Sequence, residues 1–279
     1  MLKPRRYWLY LAPAALIMAV FGVGLVQVVL YSFRSDGGLF GNFADILARP
    51  DYVDLFVRTV RIAALTTGFC VLIGYPVAYV IARAQRARNL LLILVMLPWM
   101  VSIVVRTYGW IVILGNRGTL NTLLMSTGLT SSPIRLLFNE IGVVIGLVHV
   151  FSPFMVISIL STFLMVDEVF EEASMSLGAG PLETFWRVIL PLTAPGLIAG
   201  CAIVFLLSSG AVVTPHLLGG PRTTMVATQI YQDVFQSFNF PKASAMALFL
   251  LLLVMVVLWP LGRLERHLGR HLRQADAQQ

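Results

Sequence analysis

The chain of 279 residues is 58% hydrophobic and 12% charged, with a mean hydropathy of +0.85, whereas soluble domains are roughly 45–50% apolar and 25% charged. This balance excludes an ordinary water-soluble enzyme, and the length accommodates several helices of about 20 residues with short loops, so an all-α polytopic membrane protein is expected. The net charge of +7 comes from basic residues gathered at the ends of apolar runs, without basic stripes or interleaved aromatics, which excludes nucleic acid as a partner and favours the membrane surface.

Six runs are long enough to cross about 30 Å of hydrocarbon. The first, 9–31, follows Lys3, Arg5 and Arg6 as a secretory signal would. It exceeds the usual signal core of about 7–15 residues and no Ala-x-Ala-type cleavage site is evident after it, so it is expected to remain as a first helix. The second, 62–82, holds Cys70 and Pro76; the third, 90–114, holds Arg106, Tyr108 and Trp110; the fourth, 141–166, holds His149. The fifth, 194–215, is rich in small residues and includes Cys201, Ser208 and Ser209, and the sixth is 243–264. Both thiols lie within apolar runs, where cysteine behaves as a small hydrophobe, and no paired Cys/His spacing marks a metal site.

Positive residues near span ends stay preferentially in the cytoplasm. Eleven of them (Lys3, Arg5, Arg6, Arg83, Arg86, Arg88, Arg187, Arg263, Arg266, Arg270 and Arg273) fall on one side of a six-span arrangement, and eight fall in the longer loops opposite. Both termini and the loop 167–191 are therefore expected inside.

That loop, DEVFEEASMSLGAGPLETFWRVILP, is acidic and patterned. Phe170, Ala173, Ser174 and Leu177 recur at i, i+3, i+4 and i+7, which lines one face of a short helix, and Glu168, Glu171 and Glu172 project from the rest. Gly178 stands where a helix end uses the left-handed region, and Pro181 can open a second helix. Glu183 and Arg187 form an i, i+4 pair, and Pro191 precedes re-entry into the membrane. Two short helices joined by a sharp bend are expected, shaped to dock another subunit. A helix lying on the membrane surface would carry a Lys/Arg-rich polar face instead.

The stretch Glu172-Ala173-Ser174, then Gly178, then Val188, Leu190 and Pro191 resembles the EAA signature of ATP-binding-cassette importer permeases. The departures are Ser174 for alanine and Val188 for isoleucine. The resemblance implies six transmembrane helices of the type I ABC importer permease (MetI-like) fold in one domain. It also implies a bacterial inner-membrane location and a coupling helix that sits in a groove of the ATP-binding subunit. The coupling residues implied are Glu168, Glu171, Glu172, Ala173, Ser174, Leu177, Gly178 and Pro191. The partners implied are two ATP-binding subunits, a second permease and a periplasmic or lipid-anchored solute-binding protein. The chain has no G-x-x-x-x-G-K-[ST] phosphate loop, so ATP and Mg²⁺ are expected on partner chains and no cofactor or catalytic residue on this one.

Leu97-Pro98-Trp99-Met100-Val101-Ser102, the segment from Val105 to Trp110, Gly118-Thr119-Leu120-Asn121 and Leu218-Gly219-Gly220-Pro221 are similar to spermidine/putrescine-type permeases. Permeases for ferric iron, thiosulfate, sulfate, molybdate and phosphonates share parts of this framework, so polyamine cargo is expected with those solutes as alternatives. Candidate pathway residues are Arg106, Tyr108, Trp110, Ser208 and Ser209. Each has a second reading. Arg106 would repel a polyamine and can instead reach the outer interface or pair with Glu140, Asp54 or a partner carboxylate; the aromatics can lie at the lipid interface; the serines can serve helix packing. An ion-coupled carrier would call for intramembrane carboxylates, and none falls inside the six runs.

Overall fold

The computed structural model describes residues 5–35, 38 and 40–276, with side chains at 12–35, 38 and 40–263. Lys3 lies outside the described residues, as do the side chains of Arg5, Arg6, Arg266, Arg270 and Arg273. Among the described residues every regular element is helical: α1 (Arg5–Ser32), α2 (Gly41–Ala48), α3 (Pro50–Arg83), α4 (Arg88–Met100), α5 (Ile103–Leu114), α6 (Thr119–Ser126), α7 (Glu140–Phe163), α8 (Val169–Ser176) and α9 (Pro181–Thr184). A π-helical turn (Phe185–Ile189) leads into α10 (Leu190–Ser209), followed by α11 (Val213–Leu218), a 3₁₀ turn (Pro221–Thr223), α12 (Val226–Phe235) and α13 (Phe240–Asp276). Among the described residues five helical stretches are long and apolar enough to cross a membrane, and a bent pair makes up to six.

The chain forms two compact units. The larger comprises Leu55–Thr228 with Leu253–Gln279, and the smaller Met1–Asp54 with Gln229–Leu252. In the smaller unit the apolar part of α1 has no buried residue over its most hydrophobic window. Phe43 joins the rings of Phe33 and Phe249, and Lys242 bonds the Tyr52 hydroxyl while stacking over its ring.

The larger unit is organised around α7. This helix is apolar all round, the pattern of a helix buried on every side, and Val143, Leu147, Met155 and Ile159 are fully buried. Asn139 caps its start, accepting from the Gly142 amide at 3.0 Å. α10 lies along α7 because Gly196 and Gly200 have no side chain there: a Cβ on Gly200 would stand 2.7 Å from Met155 Sδ, and one on Gly196 would strike the Ser158 carbonyl. Glycine at such crossings lets backbones approach closely.

Two expectations are corrected. The run 90–114 is not one helix: α4 and α5 meet at Val101 and Ser102 with a bend of 91°. Pro98 removes one backbone donor three residues earlier, and the β-branched residues Val101, Ile103, Val104 and Val105 with Ser102 favour helix least in this region. The helical stretch Pro181–Ser209 is continuous, so there is no separate second short helix and Pro191 does not mark a break. Pro191 lacks the N–H that would bond the Arg187 carbonyl and would clash with it, and the turn ahead of it widens, the Leu190 amide bonding to the Phe185 carbonyl at i−5. π turns absorb such a mismatch within a helix.

Asn121 is buried and pins the α5–α6 connection. Its side-chain amide donates to the carbonyls of Gly115 and Ile134, each at 3.0 Å, and its Oδ1 accepts from the Ile134 amide at 2.9 Å. Asn121→Ala leaves these backbone groups unpaired and is expected to cost about 1–3 kcal/mol, measured as a lower unfolding midpoint in detergent.

Candidate functional site

The loop between α7 and α10 carries the patterned segment. α8 ends in a complete Schellman motif: the Gly178 amide bonds the Met175 carbonyl at 3.0 Å and the Ala179 amide bonds the Ser174 carbonyl at 3.2 Å. Gly178 has φ +94°, a region that favours glycine. Pro181 then takes the first position of α9. Ser174 Oγ and the buried Thr184 Oγ1 lie 3.0 Å apart, closing the bend from inside.

The expected apolar face of α8 does not turn into this chain. Phe170 is 54% exposed, Leu177 90% and Leu182 71%, and Ala173 is exposed beside Glu172 and Gly178. Exposed apolar side chains grouped with a carboxylate form a surface suited to another protein. Glu183 bonds Arg187 at 2.6 Å on the outside of the next turn.

Two of the three glutamates that project from the apolar face bond back to this chain. Arg83, at the end of α3, reaches Glu168 Oε1 from Nη1 at 3.0 Å and bonds Glu171 through Nη2. The Tyr79 hydroxyl donates to the other Glu171 oxygen at 2.8 Å. The third, Glu172, is exposed and makes no such bond among the described contacts. Arg83 is legible in the sequence only as a basic residue at a span end, and its bond with Glu171, like that of Tyr79, has no local signal because it joins residues 88 positions apart.

The candidate pathway residues do not converge. A cavity of about 710 Å³ runs along α3, α5 and α7, and of the five candidates only Trp110 lines it, together with Phe69, Glu140, His149 and Ser152. Trp110 Nε1 donates to His149 Nδ1 at 3.2 Å, the rings meeting edge to face. Tyr108 is 56% exposed. Ser208 and Ser209 are buried in α10; Ser209 donates to the Phe205 carbonyl, and Ser208 Oγ has no partner among the described residues. Arg106 does not pair with Glu140: that carboxylate, at the start of α7, is held by Arg61 and by Arg58 at 3.8 Å, and Arg106 Nε and Nη1 are buried without partners among the described residues. Cys70 is buried, its thiol 3.8 Å from the Val148 carbonyl, and both cysteines are free.

Comparison with known proteins places this geometry. The family model described as the binding-protein-dependent transport system inner membrane component matches residues 71–273. The chain is 38% identical over 225 residues to the spermidine/putrescine transport system permease protein PotB of Haemophilus influenzae, covering 80% of this chain and 79% of that protein. It is 34% identical over 222 residues to the Escherichia coli protein of the same name, covering 78% and 81%. It is also 30% identical over 256 residues to the molybdenum transport system permease protein ModB of Mycobacterium bovis, covering 91% and 92%. Among solved structures, a chain of a bacterial alginate ABC transporter, crystallised in complex with an alginate pentasaccharide-bound periplasmic protein, superposes with a TM-score of 0.72 at 19% identity, covering 94% of this chain and 96% of that one. A chain of the inward-facing MetNI methionine ABC transporter gives 0.60 at 17% identity, covering 79% and 99%.

Proposed function

This chain belongs to the family of binding-protein-dependent transport system inner membrane components, and from that premise we propose that it is the permease subunit of an ATP-driven importer of polyamines such as putrescine and spermidine. It is a multi-pass inner-membrane transport subunit and not an enzyme. Two ATP-binding subunits close on ATP, a second permease completes the passage, and a periplasmic or lipid-anchored binding protein delivers the solute. The excess of Lys and Arg at one set of span ends supports a cytoplasmic location for both termini and for the loop 167–191.

The reading rests first on the 38% identity with a spermidine/putrescine permease across most of both chains. The exposed face of Phe170, Glu172, Ala173 and Leu177 supports the drive: it offers the ATP-binding subunit an apolar ridge, a close approach at alanine and one carboxylate for a charge-assisted bond. In the cavity beside α7, Phe69 and Trp110 supply faces that attract an ammonium group. Trp110→Ala is expected to raise the solute concentration for half-maximal uptake several-fold, about 0.5–2 kcal/mol of lost cation–π contact.

A second reading is favoured by one observation. The Arg106 guanidinium has two buried nitrogens without partners, and an anionic cargo would suit it better than a cation. The 30% identity with a molybdenum permease agrees with a small oxyanion. In cells lacking their own polyamine uptake but supplied with this chain and its partner subunits, labelled putrescine or spermidine should accumulate. Unlabelled polyamine should compete and sulfate or molybdate should not. Uptake of oxyanion alone supports the second reading.

A further inference from the structure

The coupling helix is tied to a transmembrane helix that is not its neighbour in the chain. α8 is joined covalently to α7 on one side and to the Pro181–Ser209 stretch on the other. Its Glu168 and Glu171, three residues apart on one face, close onto Tyr79 and Arg83, four residues apart on one face of α3. The Arg83 guanidinium also lies over the Tyr79 ring, 5.4 Å from its centroid. One turn deeper, the Tyr75 hydroxyl lies 2.7 Å from Thr193 Oγ1 in α10, and the Tyr75 ring meets Phe163 and Phe185 edge-on.

The clamp is more than a surface ion pair. The Arg83 and Glu171 side chains are 25% and 18% exposed, so water screens them less than an exposed pair, and removing the guanidinium strands the Glu171 charge. A guanidinium is also the one side chain that can hold two carboxylates from a fixed fork. Beside the clamp, a cavity of about 690 Å³ lined by Pro76, Tyr79, Glu171, Phe185 and Trp186 opens between α3 and the π turn. Apolar packing is incomplete there, which leaves the polar contacts to join α3 to the coupling element.

We propose that Arg83 is a positioning residue that makes α3 the third transmembrane arm of the coupling helix. Movement of α8 reaches α7 and α10 through the chain and reaches α3 through the Arg83 bonds to Glu168 and Glu171. This rests on the importer reading above, and it assigns Glu168 and Glu171 to contacts within the permease, leaving Glu172 for the ATP-binding subunit.

The test uses the complete transporter in proteoliposomes, with solute uptake and ATP hydrolysis measured together for Arg83→Ala, Arg83→Lys, Glu171→Gln and the double variant Arg83→Ala/Glu171→Gln. In Arg83→Ala and Glu171→Gln the ATP hydrolysed per solute imported should rise at least about fivefold, the lower end of a 1–3 kcal/mol coupling. The double variant should be no worse than the more severe single one, because the two share one interaction. Arg83→Lys should fall between, and the ATP-binding subunits should co-purify in their usual ratio throughout. If Arg83→Ala does not assemble, Tyr79→Phe removes one hydroxyl donor from Glu171 and should raise the same ratio. An unchanged ratio in Arg83→Ala, or in Tyr79→Phe where that variant stands in, would overturn the clamp. Loss of ATP-binding subunits in Glu171→Gln but not in Arg83→Ala would also overturn it, by placing Glu171 on the partner. A wild-type complex without ATP-dependent uptake would instead overturn the importer reading itself.

Discussion

Gly178→Val should sharply reduce coupled uptake while leaving the chain inserted in the membrane. Space is not the reason, since a Cβ at this position meets nothing within 4 Å. The backbone is: φ +94° closes the Schellman motif at the end of α8, and a β-branched residue held there costs about 1–3 kcal/mol. α8 has eight residues, too few to be stable alone in water, so that strain is relieved by opening the motif. The bend that aims Phe170, Glu172 and Leu177 outward is then lost. Coupling free energies are themselves about 1–3 kcal/mol, so the loss corresponds to roughly a 5- to 150-fold fall in coupled transport. Gly178→Asn, which tolerates left-handed backbone better, should retain a measurable part of the uptake. Glu172→Lys acts on the same surface through charge and should fail in the same way. Uptake assays with immunodetection of the chain in membranes separate these outcomes from loss of protein.

Gly196→Leu should be the most damaging substitution for the fold. A Cβ at Gly196 would strike the Ser158 carbonyl and the Thr162 side chain. The carbonyl belongs to the backbone of α7 and cannot rotate away. The two central helices must separate, and overpacking of this kind costs about 1–3 kcal/mol or more, with the contacts of Met155 and Ser158 against Gly200 lost at the same crossing. Gly68 in α3 is the internal control, because a Cβ there meets nothing within 4 Å. Gly68→Ala should be neutral or stabilising by up to about 1 kcal/mol through helix propensity. Thermal unfolding in detergent should therefore lower the midpoint of Gly196→Leu by many degrees and leave Gly68→Ala at or above the parent.

What could be read from the residues alone is whatever depends on local spacing. The apolar runs gave the helical class, and the i, i+3, i+4, i+7 repeat with Gly178 and Pro181 defined α8 and its bend, because capping and periodicity act within one or two turns. The 91° break at Val101 and Ser102 was hidden because hydropathy continues unchanged across it, and Pro98 alone does not distinguish a kink from a stop. The π turn was hidden for a related reason: Pro191 can end a helix or be absorbed by widening the turn before it, and the packing of α10 on α7 decides which. The clamp at Arg83 and the pairing of Glu140 with Arg58 and Arg61 join residues 79 to 88 positions apart, where no local pattern exists. That Glu168 and Glu171 bond back to α3 while Glu172 does not was hidden because helical spacing says which residues share a face and not what that face meets.

The central claim is that ATP hydrolysed on partner subunits drives this permease through the loop 167–191. The most direct test is labelled polyamine uptake by the complete transporter in proteoliposomes, with ATP supplied on the face bearing that loop and binding protein on the other. Uptake should need both, survive collapse of the ion gradients, and be lost in Glu172→Lys. Uptake that persists without ATP while an ion gradient is intact would contradict that claim.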